Sequence, residues 1–132
     1  MIAFVDTSAF FAILDEDDQD HSRAQETWRR LLREGHLLLT TNYVLVETSA
    51  LLQRRLGIAA LQTFHEKIVP PLQVDWIGAD RHQSSVEAAL TAARKNLSVV
   101  DCISFETMRR EGVQTVFSFD RHFREQGFEV LP

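Results

Sequence analysis

Four acidic side chains stand where a charge is expensive. Asp6 follows the apolar run Ile2 to Val5, Glu47 ends the stretch YVLVE, Asp101 follows SVV and Asp120 follows FSF. A carboxylate taken out of water without a partner carries a large desolvation penalty. Helix capping is the ordinary explanation for Asp6, Asp101 and Asp120. Each falls at or near the start of an expected helix, where Asp accepts hydrogen bonds from free backbone N–H groups. Glu47 does not fit it. It lies inside its helix, and its neighbours at helical spacing are Tyr43, Val44, Ala50 and Leu51. Glu47 is therefore expected to point along an apolar stripe toward the core, where it needs either a buried Arg or company of another kind.

Convergence of the four acids supplies that company and creates a new problem. Like charges in a cleft of low dielectric cannot all remain ionised without a cation. Carboxylate oxygens are hard ligands that suit magnesium or manganese, not zinc. One or two ions would serve. Two would move the net charge from -5 to about -1 and remove most of the objection to a polyanionic substrate.

Positioning such a site requires strands that end together. The pattern predicts a strand over Ile2 to Val5, a helix over Thr7 to Leu14, an acidic turn (DEDDQD) and a helix capped by Asp20 or Ser22 that stops at Gly35. A short strand over Leu37 to Leu39 follows. A helix capped by Thr41 or Asn42 then runs from Tyr43 to about Arg55, with Gly57 as its stop. One continuous helix is expected from Ile58 to Val69, ended by Pro70 and Pro71, then a strand over Leu72 to Ile77. Asp80 opens a helix to about Asn96, and Val100 to Arg110 are helical. Thr115 to Phe119 form a strand, Arg121 to Gln126 a helical turn and Phe128 to Leu131 a last strand. Short strands alternating with helices imply parallel pairing through right-handed crossovers. The expected fold is α/β: a three-layer α/β/α sandwich with a mainly parallel central sheet. Such sheets bind ligands beyond the carboxyl ends of their strands, where the strand order switches direction. Asp6 and Asp120 both fall at predicted strand ends.

Composition bounds the rest. A length of 132 residues without linker, repeat or low-complexity tract suits one domain over 1–132. The lone Cys102 excludes an internal disulfide and reads as a small core residue. No leader-like segment or membrane-length apolar run is visible, so a cytoplasmic protein without membrane contact is expected. Positive charge is carried mostly by Arg, in the groups Arg29-Arg30, Arg54-Arg55, Arg109-Arg110 and Arg121 with Arg124. Arg is the better phosphate clamp, although each pair alone reads as a solvated helix face.

Other constellations are weaker. His21, His36, His65, His82 and His122 show no metal-ligand spacing, so no zinc site is expected. There is no GxSxG elbow and no P-loop. A metal-dependent adhesion-type domain would want DxSxS after the first strand, but Phe10 fills the last serine position. A phosphorelay receiver would want an acid pair beside the first strand and a Lys after a late one. An aspartyl-nucleophile phosphatase would want an acid where Ser8 stands.

The stretches VDTSAFFAIL, VLVETSALL, LSVVDCISF and FSFDRHF, in that order and over essentially the whole chain, resemble the PIN-domain ribonucleases, most closely the VapC-like toxins of toxin–antitoxin pairs. The resemblance implies a parallel α/β/α sandwich with an acidic pocket for magnesium or manganese. It also implies hydrolysis of RNA, single-stranded or structured, to 5′-phosphate and 3′-hydroxyl ends, often by a homodimer whose site an antitoxin covers. Carried over by position, Asp6 matches the first-strand metal acid, Glu47 the helix acid, Asp101 the acid opening the late helix and Asp120 the acid after the late strand. Ser8 matches a hydroxyl that supports the first acid. Arg121 and Arg124 are candidates for holding the RNA backbone. Where many members carry a further acid just after the position of Asp120, this chain has Arg121, His122 and Phe123, which leaves one ion or two open. A PIN-like module that binds RNA without cutting it is the alternative, against which all four acids being present argues.

Overall fold

The computed structural model describes all 132 residues. Five strands, β1 (Ile2–Val5), β2 (Leu37–Thr41), β3 (Gln73–Asp75), β4 (Thr115–Phe117) and β5 (Glu129–Leu131), form one sheet in the order β3-β2-β1-β4-β5. Every pair is parallel, with Phe4 level with Leu39 on one side and with Val116 on the other. The helices are α1 (Thr7–Leu14), α2 (His21–Arg33), α3 (Asn42–Arg55), α4 (Ile58–Thr63), α5 (Ala79–Ala92), α6 (Val99–Arg110) and α7 (His122–Glu125). None is long and apolar enough to cross a membrane.

Right-handed crossovers fix the layers. From β1 the chain steps through β2 to β3, so α1 to α4 cover one face. The return from β3 to β4 passes over β1 and β2, so α5 to α7 cover the other. Phe10, Trp28 and Phe64 pack edge to face in the first layer, with ring centroids 6.3 and 5.2 Å apart. Phe105, Phe123 and Phe128 pack in the second, where Phe4 of β1 reaches Phe123. Ala3, Phe4 and Val5 are wholly buried, which is why β1 reads as an unbroken apolar run and not an alternating one.

The strand order reverses between β1 and β4. The Asp6 N–H donates to the Phe117 carbonyl at 3.1 Å, so these two strands run together to their carboxyl ends and then part. The opening between them is the crevice in which this architecture places a ligand.

Several predicted boundaries move. α5 stops at Ala92 and not near Asn96, because Ala93 takes a left-handed conformation (φ 52°) that ends the helix. The expected helix from Ile58 to Val69 is α4 followed by a π-helical turn, Phe64–Ile68, that keeps Phe64 and Ile68 buried. β3 and β4 are shorter than predicted, and β4 ends at Phe117, leaving Asp120 in the loop beyond it.

Candidate active site

Asp6 is 5% exposed and caps α1. Its Oδ2 accepts hydrogen bonds from the Ser8 hydroxyl at 2.9 Å and the Ser118 hydroxyl at 3.1 Å. These are the only protons the two hydroxyls own. As acceptors they tie down the next loop: the Phe119 N–H donates to Ser8 Oγ and the Asp120 N–H to Ser118 Oγ, both at 2.9 Å. Two serines thus lash the end of β4 to the first acid. Ser118 was not among the residues expected from the sequence. Its signal is its place two residues before Asp120, where a short hydroxyl can serve both acids.

Asp101 lies in the first turn of α6, not at its cap. Ser98 is the N-cap, and the two form a reciprocal capping box: the Ser98 N–H donates to Asp101 Oδ2 at 2.9 Å, the Asp101 N–H to Ser98 Oγ at 3.1 Å. Asp120 accepts from the His122 N–H at 2.9 Å, which starts α7 one residue later than its own position would suggest. Capping and site formation are therefore not rivals here. The turns that satisfy free N–H groups also aim the remaining carboxylate oxygens.

Glu47 departs from expectation. The buried stripe of α3 is Val44, Leu45, Thr48 and Leu52, and Glu47 is exposed on the lip of the crevice, not directed at the core. The stripe was misread because Thr48 belongs to it. Its hydroxyl donates to Thr7 Oγ1 at 3.0 Å inside the protein, freeing the Thr7 proton for Glu47.

Electrostatics shows that the four groups share one environment. Burial pushes the Asp6 carboxyl up to about 6 from 3.8; Ser8 opposes the shift, and Asp101, Asp120 and Glu47 add to it. Glu47 is raised by burial, eased by the nearby Thr7 hydroxyl and raised again by Asp101 and Asp120. Asp101 is raised by burial and by Asp120, against the Ser98 hydrogen bonds and the nearby His122. The chain brings no Lys or Arg into contact with Asp6, Glu47 or Asp101.

His122 had no assigned role in the sequence. Its side chain is 8% exposed, with Nδ1 2.9 Å from Asp120 Oδ1 and 4.0 Å from Asp101 Oδ2. One ligand atom from each of Asp101, Asp120 and His122 lies within 4.8 Å of the others, a spacing compatible with a metal ion. Three donors and a buried carboxylate of raised proton affinity are what a divalent cation would relieve.

Hollows flank the acids. Beyond Asp120, a cavity of about 200 Å³ is lined by Arg23, Arg121, Arg124, Ser118 and Phe119. Arg23 arrives from α2 and sits 5.9 Å over the Phe119 ring. Beside Glu47, an apolar hollow is formed by Tyr43, Val46 and Val100. Arg121 and Arg124 thus fall next to Asp120, as expected, and Arg23 joins them from a stretch that sequence reading passed over.

Comparison with known proteins gives a consistent picture. A family model described as PIN domain matches residues 3–129. The chain is 34% identical over 131 residues to the 23S rRNA-specific endonuclease VapC20 of Mycobacterium tuberculosis, covering 98% of each. The crystal structure of that VapC20, described as a sarcin–ricin loop cleaving toxin, superposes with a TM-score of 0.84 at 33% identity over the full length of both chains. FitAcB from Neisseria gonorrhoeae shares the fold at 15% identity, with a TM-score of 0.68 over 100% of this chain and 97% of that one.

Proposed function

The chain belongs to the PIN domain family, and on that premise we propose that it is a divalent-metal-dependent endoribonuclease, the toxin of a toxin–antitoxin pair, whose substrate is a structured loop of ribosomal RNA. The observation that carries this reading is the meeting of Asp6, Glu47, Asp101 and Asp120, from separate segments, in a crevice where burial and neighbouring carboxylates raise the proton affinity of the first three and no Lys or Arg offsets them. The 34% identity to a 23S rRNA-specific endonuclease over nearly the whole chain supports the substrate class.

The residues divide the work. Asp6, Asp101 and Asp120 offer hard oxygen donors for magnesium or manganese, with Glu47 at the open side. Ser8 and Ser118 hold Asp6 in one rotamer and couple it to the Asp120 loop. A divalent cation held there would supply charge stabilisation at the phosphate and would lower the pKa of a water toward neutrality. Arg23, Arg121 and Arg124 offer the RNA backbone a cationic seat beside Asp120 within a chain of net charge -5. The apolar hollow at Tyr43 and Val46 can receive an unstacked base, as single-stranded segments of RNA present. An antitoxin would cover this crevice in the resting complex, and action on ribosomal RNA places the protein in the cytoplasm; a homodimer is the expected assembly.

The test uses a synthetic sarcin–ricin stem-loop with manganese or with excess chelator. Cleavage should require the cation. Asn caps helices about as well as Asp, and at position 101 its amide oxygen can still accept from the Ser98 N–H, so Asp6→Asn and Asp101→Asn should stay folded while losing on the order of a thousandfold in rate. Wild-type rates in the folded variants would overturn the reading. RNA binding without cleavage in the wild type would favour a non-catalytic module.

A further inference from the structure

The hydrogen-bond network leaves one polar group of the crevice over. Neither ring nitrogen of His122 has a hydrogen-bond partner, although the side chain is 8% exposed. An unpaired buried donor or acceptor costs about 1–3 kcal/mol. The ring is nonetheless held firmly. The His122 N–H binds Asp120, and the next residue, Phe123, is locked between Phe105 and Phe128. Nδ1 approaches Asp120 Oδ1 to 2.9 Å, yet its in-plane direction meets neither that oxygen nor Asp101 Oδ2 at 4.0 Å. For metal–ligand bonds of ~2.1 Å, adjacent ligands of an octahedral ion stand roughly 3 Å apart and opposite ones roughly 4 Å. Nδ1 lies at those spacings from the two carboxylates, 2.9 Å from Asp120 Oδ1 and 4.0 Å from Asp101 Oδ2, so an ion shared with them would give the ring nitrogen the partner it lacks.

We propose that His122 Nδ1 is a nitrogen ligand of the cation held by Asp101 and Asp120, and that it turns the centre toward manganese over magnesium. An imidazole suits transition ions, whereas magnesium prefers oxygen and water. The inference rests on the nuclease reading for the presence of a cation, but its test needs no RNA, so the two can fail separately.

Manganese is added to the wild-type protein and electron spin-echo modulation is recorded. Coupling to a directly bound nitrogen is expected. The other histidines are engaged elsewhere, His21 with the Ala12 carbonyl, His36 with Glu34, His65 with Ser49 and His82 with Tyr43. A manganese spectrum without nitrogen coupling overturns the proposal, whatever any variant does. His122→Asp exchanges the nitrogen for an oxygen. It should abolish the coupling and lower the manganese-to-magnesium affinity ratio, measured by calorimetry, on the order of tenfold. Coupling or a ratio unchanged in the folded variant would also overturn it. Loss of RNA cleavage in a protein that keeps the nitrogen coupling would count against the nuclease and leave the ligand in place.

Discussion

Two polar clusters in this protein handle buried charge in opposite ways. On the α5–α6 side, the Arg81 guanidinium, 17% exposed, binds Asp75 of β3 at 2.9 Å and Glu106 of α6 at 3.0 Å, and donates to Thr107 Oγ1 at 2.7 Å. Burial works against its charge, but the hydrogen bonds and attraction of both acids more than offset it, and its pKa is raised. Every donor direction used there ends on a partner within the chain. In the crevice, Asp6, Glu47 and Asp101 meet hydroxyls, backbone N–H groups and each other, and their proton affinities all rise. Where charge serves the fold, the sequence carries the counter-charge. Where the counter-charge is missing, it must come from outside, and the fold bears the repulsion until it does.

The comparison breaks most readily at Arg81. Arg81→Met removes the shared counter-charge: Asp75 loses its partner, and Glu106 keeps only the more exposed Arg110 at 3.6 Å. The cluster lies between a buried pair and a surface one, so the loss should be about 2 kcal/mol in urea unfolding. RNA cleavage at saturating manganese should be unaffected below the melting transition. A change under about 0.5 kcal/mol would show the cluster to be surface decoration, and the contrast with the crevice would vanish.

The crevice should respond to pH instead. The native state holds the Asp6 proton up to about pH 6, against 3.8 for an ordinary Asp. The folded chain therefore binds that proton more tightly than the unfolded one. Its contribution to stability is full below about pH 4, declines as pH rises toward 6 and stays lost above, a loss of roughly 2–3 kcal/mol without cation. Asp6→Asn should remove that decline, making the variant the more stable protein at neutral pH in chelator. Saturating manganese should narrow or reverse the order, since the wild type, with one more carboxylate at the site, gains more binding energy there. Parallel pH–stability curves for the two proteins would refute the uncompensated-charge account.

These two regions were not equally legible in the sequence. β1 and Asp6 were readable because the evidence is local: an apolar run, then an acid, then a helix. The parallel sheet followed from the alternation of short strands and helices. Glu47 was expected to face the core and stands on the lip of the crevice instead, since a core threonine pair, Thr7 with Thr48, looks polar in sequence and apolar in packing. His122 was unreadable as a ligand because its neighbour Asp101 is delivered by packing of α6 on α7 through Phe105 and Phe123, whose rings lie 5.1 Å apart. Arg81 sits in a stretch, DRHQ, that reads as an exposed first turn. Its partners come from β3 and α6, and no spacing rule connects them. The π turn at Phe64 has no signal either, because the apolar pattern runs on unbroken.

The smallest effect separates the clusters most sharply, because one substitution should act with opposite sign in each. Glu47→Gln keeps an oxygen that can accept from Thr7 but removes a charge facing Asp101 and Asp120. The residue is exposed, so water screens much of the repulsion, and the gain in melting temperature without cation should be only roughly 1–2 °C. The same change at Glu106 removes an attraction to Arg81 and should lower the melting temperature. Added salt should shrink the Glu47→Gln gain, since screening already weakens the repulsion it relieves. With manganese present the gain should turn into a loss. Should Glu47→Gln instead lower the metal-free melting temperature markedly, Glu47 would have a partner of its own within the chain, and the crevice would be a second structural ion cluster, not a seat for a cation from solution.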